Sequence, residues 1–506
     1  MYYDSIIVGA GSTGCVLAAR LSEDPDRTVL VLEAGPDFPD VASMPAGLST
    51  AAFDPGEFPE YLWRYFGTGT PRQTAPLPVI RGRVVGGSGA INGANFVRNI
   101  PEDFASWGSD LWSFPEVLPY FRALEQDLDF TGDAHGGDGP VPVGRLPQGS
   151  WSPFHTAFRA GALAAGFADK PDLNHPLGNG IGPLPLNNSK GVRMNSAIAY
   201  LNPARTRGNL TVQPDAQVLR VRFAGNRVSH VEALVGGRVE TFGAGEVILS
   251  AGGIESPHLL MLSGIGPADE LCGLGIDVVA DLPGVGENLT DHGVVNVAFA
   301  PVDGVPLYSG PAQAVALICT APDSPYRSDL RIQPSAGFLA QASSSAEPPA
   351  RMTVNCILDR PTTSGRLRLT SADPTAAPRL EFRYLQDPFD LARMRYAVRT
   401  SARVMQDGAA DGVVSHRRTP LDAELSSDRE LDEWLLHQYR TAFHTCGTAR
   451  MGATGDPGAV VDGHCRVRGI EGLRVADLSV MPTVGRGSMN PTAIMIGERL
   501  AALMDP

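Results

Sequence analysis

Short apolar runs closed by glycine, rather than long amphipathic stripes, mark both ends of this chain. Residues 4–8 end in the unbroken run Ile6-Ile7-Val8, which predicts a short buried strand. Val16, Leu17, Ala18, Ala19 and Leu21 recur as a helix would bury them, and residues 29–32 predict a second strand that ends at Glu33. Residues 34–79, rich in Pro, Gly and aromatic residues, show no clear period. They read as an irregular excursion, with Trp63 and Tyr65 as packing residues. Helical spacing returns over 104–124, with Trp107, Trp112 and Phe121 as core, and again over 152–166. Residues 132–147 are Gly/Pro-rich and predict a crossing between domains. Residues 210–221 and 227–235 predict strands of a hairpin-rich insert, and 246–249 repeat the buried-strand pattern. A turn at 250–253 then leads to a helix over 257–262, which stops at Ser263-Gly264-Ile265-Gly266.

From 293 to 435 the texture changes. Strand-like runs at 294–298, 352–358 and 365–369 alternate with Pro/Ser-rich loops, and 388–405 reads as a helix. This predicts an antiparallel sheet with helices on one face, where a substrate pocket would be shaped. Residues 341–349 come nearest to low complexity. The chain closes with a strand over 473–477 that ends in Asp477, and a helix that opens at Asn490 and runs to Leu503.

The junction between the first strand and helix carries the first chemistry. Gly9-Ala10-Gly11-Ser12-Thr13-Gly14 is a G-x-G-x-x-G sequence between a strand and a helix. Gly9 permits the tight turn, Gly11 lets backbone approach a pyrophosphate, and Gly14 lets helix pack on strand. The helix N-terminus offers free N–H groups and a positive dipole end to phosphate. Glu33 stands nineteen residues past Gly14, close to where a carboxylate would grip a ribose hydroxyl and repel a 2′-phosphate. Further on, residues 82–95 thread five glycines among small residues, a backbone surface against which something flat can lie. The second strand-turn-helix, at 246–266, is what a dinucleotide domain needs to complete its sheet.

Composition narrows the setting. A chain of 506 residues exceeds one ordinary core, so at least two domains are expected. The balance of 41 Lys plus Arg against 55 Asp plus Glu, net −14, argues against nucleic acid and anionic membrane surfaces as partners. No apolar run is long enough to predict a membrane span. The N-terminus opens straight into a strand, without the pattern of an export signal, so a cytoplasmic location is expected. None of the six cysteines has C-x-x-C spacing, and they read as buried thiols in a reducing compartment. The ten histidines form no H-E-x-x-H or H-x-x-x-H pattern, and no metal site is expected.

Several blocks, in order, resemble the glucose–methanol–choline (GMC) oxidoreductase family, whose members bind FAD. The first is 82–99, with Gly86-Gly87-Ser88 and Asn92 in register, although Asn99 stands where a small residue or proline is usual. The second is 252–266, with Ser256-Pro257 and Ser263-Gly264-Ile265-Gly266, Gly253 departing mildly. Leu282-Pro283-Gly284-Val285-Gly286, Asn288-Leu289 and Asp291-His292 form another block. The C-terminal pattern falls on His444, Asp477 and Asn490.

The resemblance implies an α/β protein: a Rossmann-like FAD-binding domain with a second, α+β substrate domain built on an antiparallel sheet. The FAD domain would be discontinuous, at 1–155, 190–292 and 436–506, with the substrate domain at 156–189 and 293–435. Cofactor contacts are expected from Gly9, Gly11, Ser12, Thr13, Gly14, Glu33, Ala34, Gly86, Gly87, Asn92, Ala94, Val218, Asp477, Asn490, Pro491 and Thr492. The implied reaction oxidises the CH–OH group of a primary or secondary alcohol to an aldehyde or ketone. His444 would take the hydroxyl proton, Asn490 would hold the oxygen, and flavin N5 would receive the hydride. Imidazole titrates near neutrality, which suits such a base. Asn490 also reads as a helix N-cap, and the dipole's positive end would favour a developing alkoxide. His292 is expected to be structural or cofactor-side. Relatives that attach flavin covalently do so through a histidine where this chain has Ile91, so non-covalent FAD is expected. An NAD-dependent dehydrogenase would leave the glycine blocks at 82 and 252 unexplained, whereas an FAD-bearing lyase or a catalytically silent FAD-binding protein would share the fold. The expected partners are a small alcohol and an electron acceptor, whether oxygen, a quinone or another carrier. Phe443 hints at an apolar or aromatic pocket wall.

Overall fold

The computed structural model describes residues 2–51, 58–176, 178–305, 312–336, 352–406, 408 and 410–504; the stretch 341–349 lies outside them. Tyr2–Val8 is the centre of a seven-stranded sheet. It pairs in parallel with Val29–Leu32 on one side and with the second half of Arg238–Leu249 on the other. Leu210–Gln213 and Leu473–Val475 add two further parallel strands. All four residues of Val29–Leu32 are buried, as expected of a parallel strand covered on both faces. Helix Ser12–Leu21 packs on this sheet and against the closing helix Met489–Met504. The approach is close enough that a side chain at Gly14 would overlap the Gly9 carbonyl.

The meander at 210–249 belongs to this sheet and is not a separate insert. Pro214 and Asp215 (φ 51°) split the expected strand 210–221 in two. The first part lies beside Val29–Leu32. The second, Ala216–Ala224, turns back and pairs antiparallel with Arg227–Val235, which pairs with Arg238–Leu249. Backbone bonds from Asp215 N to Gly35 O (3.0 Å) and from Ala216 N to Glu33 O (2.8 Å) hold this turn over the carboxyl end of the sheet.

Two other expectations change. The single helix over 104–124 is three pieces: Pro101–Phe104, a 3₁₀ turn at Asp110–Trp112 and Phe114–Leu124. Gly108 (φ 67°) and Pro115 interrupt the backbone while the apolar spacing continues across them. The excursion at 34–79 contains a strand, Leu62–Thr68, that pairs with Leu77–Gly82 and then, through Thr68, with Arg379–Glu381. With Arg366–Arg368 these form a four-stranded sheet, which joins stretches expected in different domains. The helix expected at 257–262 begins earlier, as Gly252–Leu262.

The expected antiparallel sheet is present, in the order Val414–Thr419, Gly293–Pro301, Met352–Leu358, Leu330–Ala336, Val315–Cys319 and Gly180–Pro183, with Arg440–Thr441 beside Gly293–Pro301. Helices Pro153–Ala164 and Pro388–Val404 cover one face, where Phe299 meets Phe154 and Cys356 Sγ approaches Ala397 O. Side chains alternate along a strand, so His292, Asn296, Arg331, Gln333, Asn355 and Asp359 belong to the opposite face. On that face Asn296, Asn355 and Gln333 stand in cross-strand register.

Candidate active site

A cleft open to solvent runs over the carboxyl ends of the parallel strands. This is where open α/β sheets bind ligands. Gly9, Gly11, Ser12, Thr13, Glu33, Ala34, Gly87, Val218 and Asp477 line it. A side chain at Gly11 would meet protein only at Ser250 O, 3.8 Å away, so the room beside it is the cleft's own. Gly87 sits so near that a Cβ there would lie 2.7 Å from Gly11 Cα. The two glycine-rich blocks thus form one backbone cradle, which fits a bound pyrophosphate and the flat ring beside it.

Glu33 is buried and already engaged. Its Oε2 accepts from Ala10 N and its Oε1 from Gly35 N, each at 2.9 Å. Burial raises its pKa to about 7, against the pull of those bonds. It therefore braces the phosphate loop as well as facing the cleft. Asp477 plays a similar part, accepting from Gly252 N (2.8 Å), Ser256 Oγ (2.5 Å) and Ser479 N (2.8 Å). Val218 lies on the meander next to a register shift.

The other expected residues stand behind the wall of the cleft. Gly86 N donates to Ala10 O (2.7 Å), and Asn92 Oδ1 accepts from Ala94 N (2.9 Å), with Ala94 at φ 58°. Gly14, Pro491 and Thr492 are buried, and Thr492 Oγ1 has no partner. Asn490 Oδ1 accepts from Ser12 Oγ at 2.6 Å, while its Nδ2 is buried without a partner. An unpaired buried donor is costly to leave so, which fits an acceptor on a bound group. Asn99, the departure from the family block, packs against Gly485, where any side chain would collide with its amide. Gly253, the other departure, faces Thr445 O, which a Cβ would overlap, and its own carbonyl accepts from Thr448 Oγ1 at 2.7 Å.

His444 follows Phe443, whose φ of 65° is strained for a non-glycine residue and whose ring lines the cleft. Asp291 fixes this loop from below. Its carboxylate accepts from His444 N (2.6 Å), Thr441 Oγ1 (2.5 Å) and Tyr384 Oη (2.5 Å). Burial, together with the charges of Arg331 and Arg81, pushes His444 down to about 3, so its ring is neutral at ordinary pH. His292 is the partner that sequence reasoning undervalued. Its ring is fully buried and its Nδ1 lies 2.8 Å from His444 Nδ1. Behind it, Arg331 donates to Asp359 Oδ1 (3.0 Å) and to Gly487 O (3.3 Å), which ties the loop ahead of Asn490 to the same cluster.

Three further residues line the cleft that the sequence did not mark as doing so. Trp63, Tyr65 and Arg81 line the wall; Tyr65 Oη donates to Glu255 Oε1 (2.7 Å), and Arg81 reaches Thr445 Oγ1. Their alternation along 62–68 and 77–82 was the available signal. Away from the cleft, Glu125, Asp127 and His135 lie close enough to hold a cation, but Arg98 and Arg145 engage their carboxylates.

The cleft is that of a dinucleotide-binding flavoprotein fold, with an imidazole pair beside it, His292 fully buried and His444 partly so. The chain belongs to the GMC oxidoreductase family: its N-terminal model matches residues 3–294 and its C-terminal model residues 361–497. GMC oxidoreductases bind FAD. The chain is 36% identical to a GMC-type oxidoreductase of Rhodococcus erythropolis over 510 residues, covering 99% of this chain and 98% of that one. It is 35% identical to an oxygen-dependent choline dehydrogenase of Photobacterium profundum, covering 99% and 92%. Among solved structures, pyridoxine 4-oxidase from Mesorbium loti superposes with a TM-score of 0.90 at 29% identity, covering 99% of each chain. Among the described residues, no helix is long and apolar enough to cross a membrane.

Proposed function

We propose that this protein oxidises the CH–OH group of a small alcohol to a carbonyl, with His444 as the base and Asn490 as the hydrogen bond to the alcohol oxygen. The observation that carries this reading is His444 itself: a neutral imidazole on a loop held by Asp291, between Phe443 and Thr445, which line the cleft. The alcohol gives up two hydrogens, one as a proton to His444 and one as a hydride; bound FAD supplies the hydride acceptor. Asn490 Nδ2, without a protein partner, is the donor that would meet the oxygen as charge builds on it. Ser12, by holding Asn490 Oδ1, would keep that donor aimed.

The FAD domain would comprise 1–155, 190–292 and 436–506, and the substrate domain 156–189 and 293–435, with the four-stranded sheet as their seam. Gly11, Gly87, Glu33, Ala34 and Val218 are the cleft residues we assign to FAD, held without a covalent bond because Ile91 offers no nucleophile. Anaerobic mixing of the yellow protein with a panel of alcohols tests the reading. Bleaching of the flavin supports it, and a lyase or silent flavoprotein would stay yellow with every alcohol.

A further inference from the structure

His292 and His444 present the same ring atom to each other. Their Nδ1 atoms are 2.8 Å apart, and the rings stand nearly perpendicular (86°) with centroids 4.9 Å apart. Two such nitrogens at hydrogen-bond distance share a single proton: one donates it and the other must offer a lone pair. The tautomer of one ring therefore dictates that of the other. With the proton on His444 Nδ1, His444 Nε2 is bare and can take a proton. With the proton on His292 Nδ1, His444 Nε2 carries hydrogen and cannot act as a base.

The surroundings of His292 select between these states. From the neighbouring strands it faces Arg331 and Asp359, whose Oδ1 is 3.6 Å from His292 Nδ1 but is already claimed by Arg331 at 3.0 Å. The backbone groups that bear on the ring are the carbonyl oxygens of Gly485 and Asp359. Its Nε2 has no partner at full hydrogen-bond geometry. Among the described residues no protein group donates to Nε2, so no bond holds that nitrogen bare. Burial, His444 and Arg331 all hold His292 well below the usual imidazole range, so it stays neutral. His444 faces Arg81 from the Leu77–Gly82 strand, with Asp291 beneath its own backbone. Neither supplies its ring with an acceptor; His292 does.

We infer that His292 is the positioning residue for His444: its bare Nδ1 accepts the His444 Nδ1 hydrogen, fixing the tautomer that leaves Nε2 free. The same bond persists when His444 becomes an imidazolium, and partly offsets the positive charges around it. This inference rests on His444 being the base.

The test uses the FAD-loaded protein labelled with ¹⁵N-histidine, alongside His292→Leu and His292→Asn. Leucine fills similar space without an acceptor; asparagine can place Oδ1 where Nδ1 stood. Long-range ¹H–¹⁵N spectra, assigned with His444→Ala, should show His444 as the Nδ1–H form in the parent. The leucine variant should lose that form and reduce its flavin about 10–100-fold more slowly, the cost known for removing the group that orients a metal-bound histidine. The acid limb of its pH–rate profile should move to lower pH, because the imidazolium has lost an acceptor. Asparagine should restore most of the rate and the limb. A leucine variant with the parent's tautomer and rate, or an asparagine variant no better than leucine, would overturn the inference. If leucine does not fold, the tautomer and pH limb of the asparagine variant decide. His444→Ala reducing its flavin at the parent rate would instead overturn the base assignment.

Discussion

Ser12 and Asn490 lie 478 residues apart in sequence, yet Ser12 Oγ donates to Asn490 Oδ1 at 2.6 Å. The bond joins the start of the first helix to the start of the last, and so links the first glycine loop to the Asn490 amide. Ser12→Ala should free the Asn490 amide to rotate. Flavin reduction should slow by roughly tenfold, less than outright loss of an oriented donor costs, while Asn490→Ala should slow it by about 10²–10³-fold. Single-turnover absorbance at 450 nm or so reads both, and a slower Ser12→Ala than Asn490→Ala would contradict the order.

Glu33 should make stability depend on pH. Its folded pKa, about 7, is raised above the ordinary carboxylate value of 4.5. The folded state therefore holds the proton more tightly. The contribution is fully present below about pH 4.5 and is lost as pH rises through 7. Glu33→Gln should remove this component, so that its thermal midpoint falls less between pH 5 and pH 8 than the parent's. An equal fall in both proteins would place the effect elsewhere.

Asp291 bears three buried donors. Replacing it with alanine strands Tyr384, Thr441 and the His444 amide, so the loss should be at least about 3 kcal/mol, the scale for breaking a buried charged network. Urea unfolding measures it. Asp291→Asn, which keeps the volume and one acceptor oxygen, should lose less.

Acid or heat denaturation provides a separate check on cofactor attachment: all the yellow colour should pass to the supernatant, because Ile91 cannot bond to flavin.

Much of the cofactor side was legible because its signals are local. Gly9, Gly11 and Gly14 sit between a strand and a helix that their own sequence specifies, and Glu33 lies at the end of the next strand. The meander was misread because Pro214 and Asp215 redirect the chain between two strands of similar apolar pattern. The hairpin at 62–82 was missed because proline and glycine around it hid a period of two. On the substrate side, His444 was marked by its motif, but its partners were not. His292, Arg331 and Asp359 come from three strands of one sheet, and only cross-strand register brings them together. Asp291 was visible only as the neighbour of His292, with nothing local to say that it would hold the loop of His444.

The central claim is that His444 takes the alcohol proton, and anaerobic rapid mixing of His444→Ala with an alcohol that reduces the parent tests it most directly. The account predicts a folded, yellow variant whose flavin reduction is slower by about 10²–10⁴-fold, the usual worth of a positioned general base. A variant that reduces its flavin at the parent rate would contradict it.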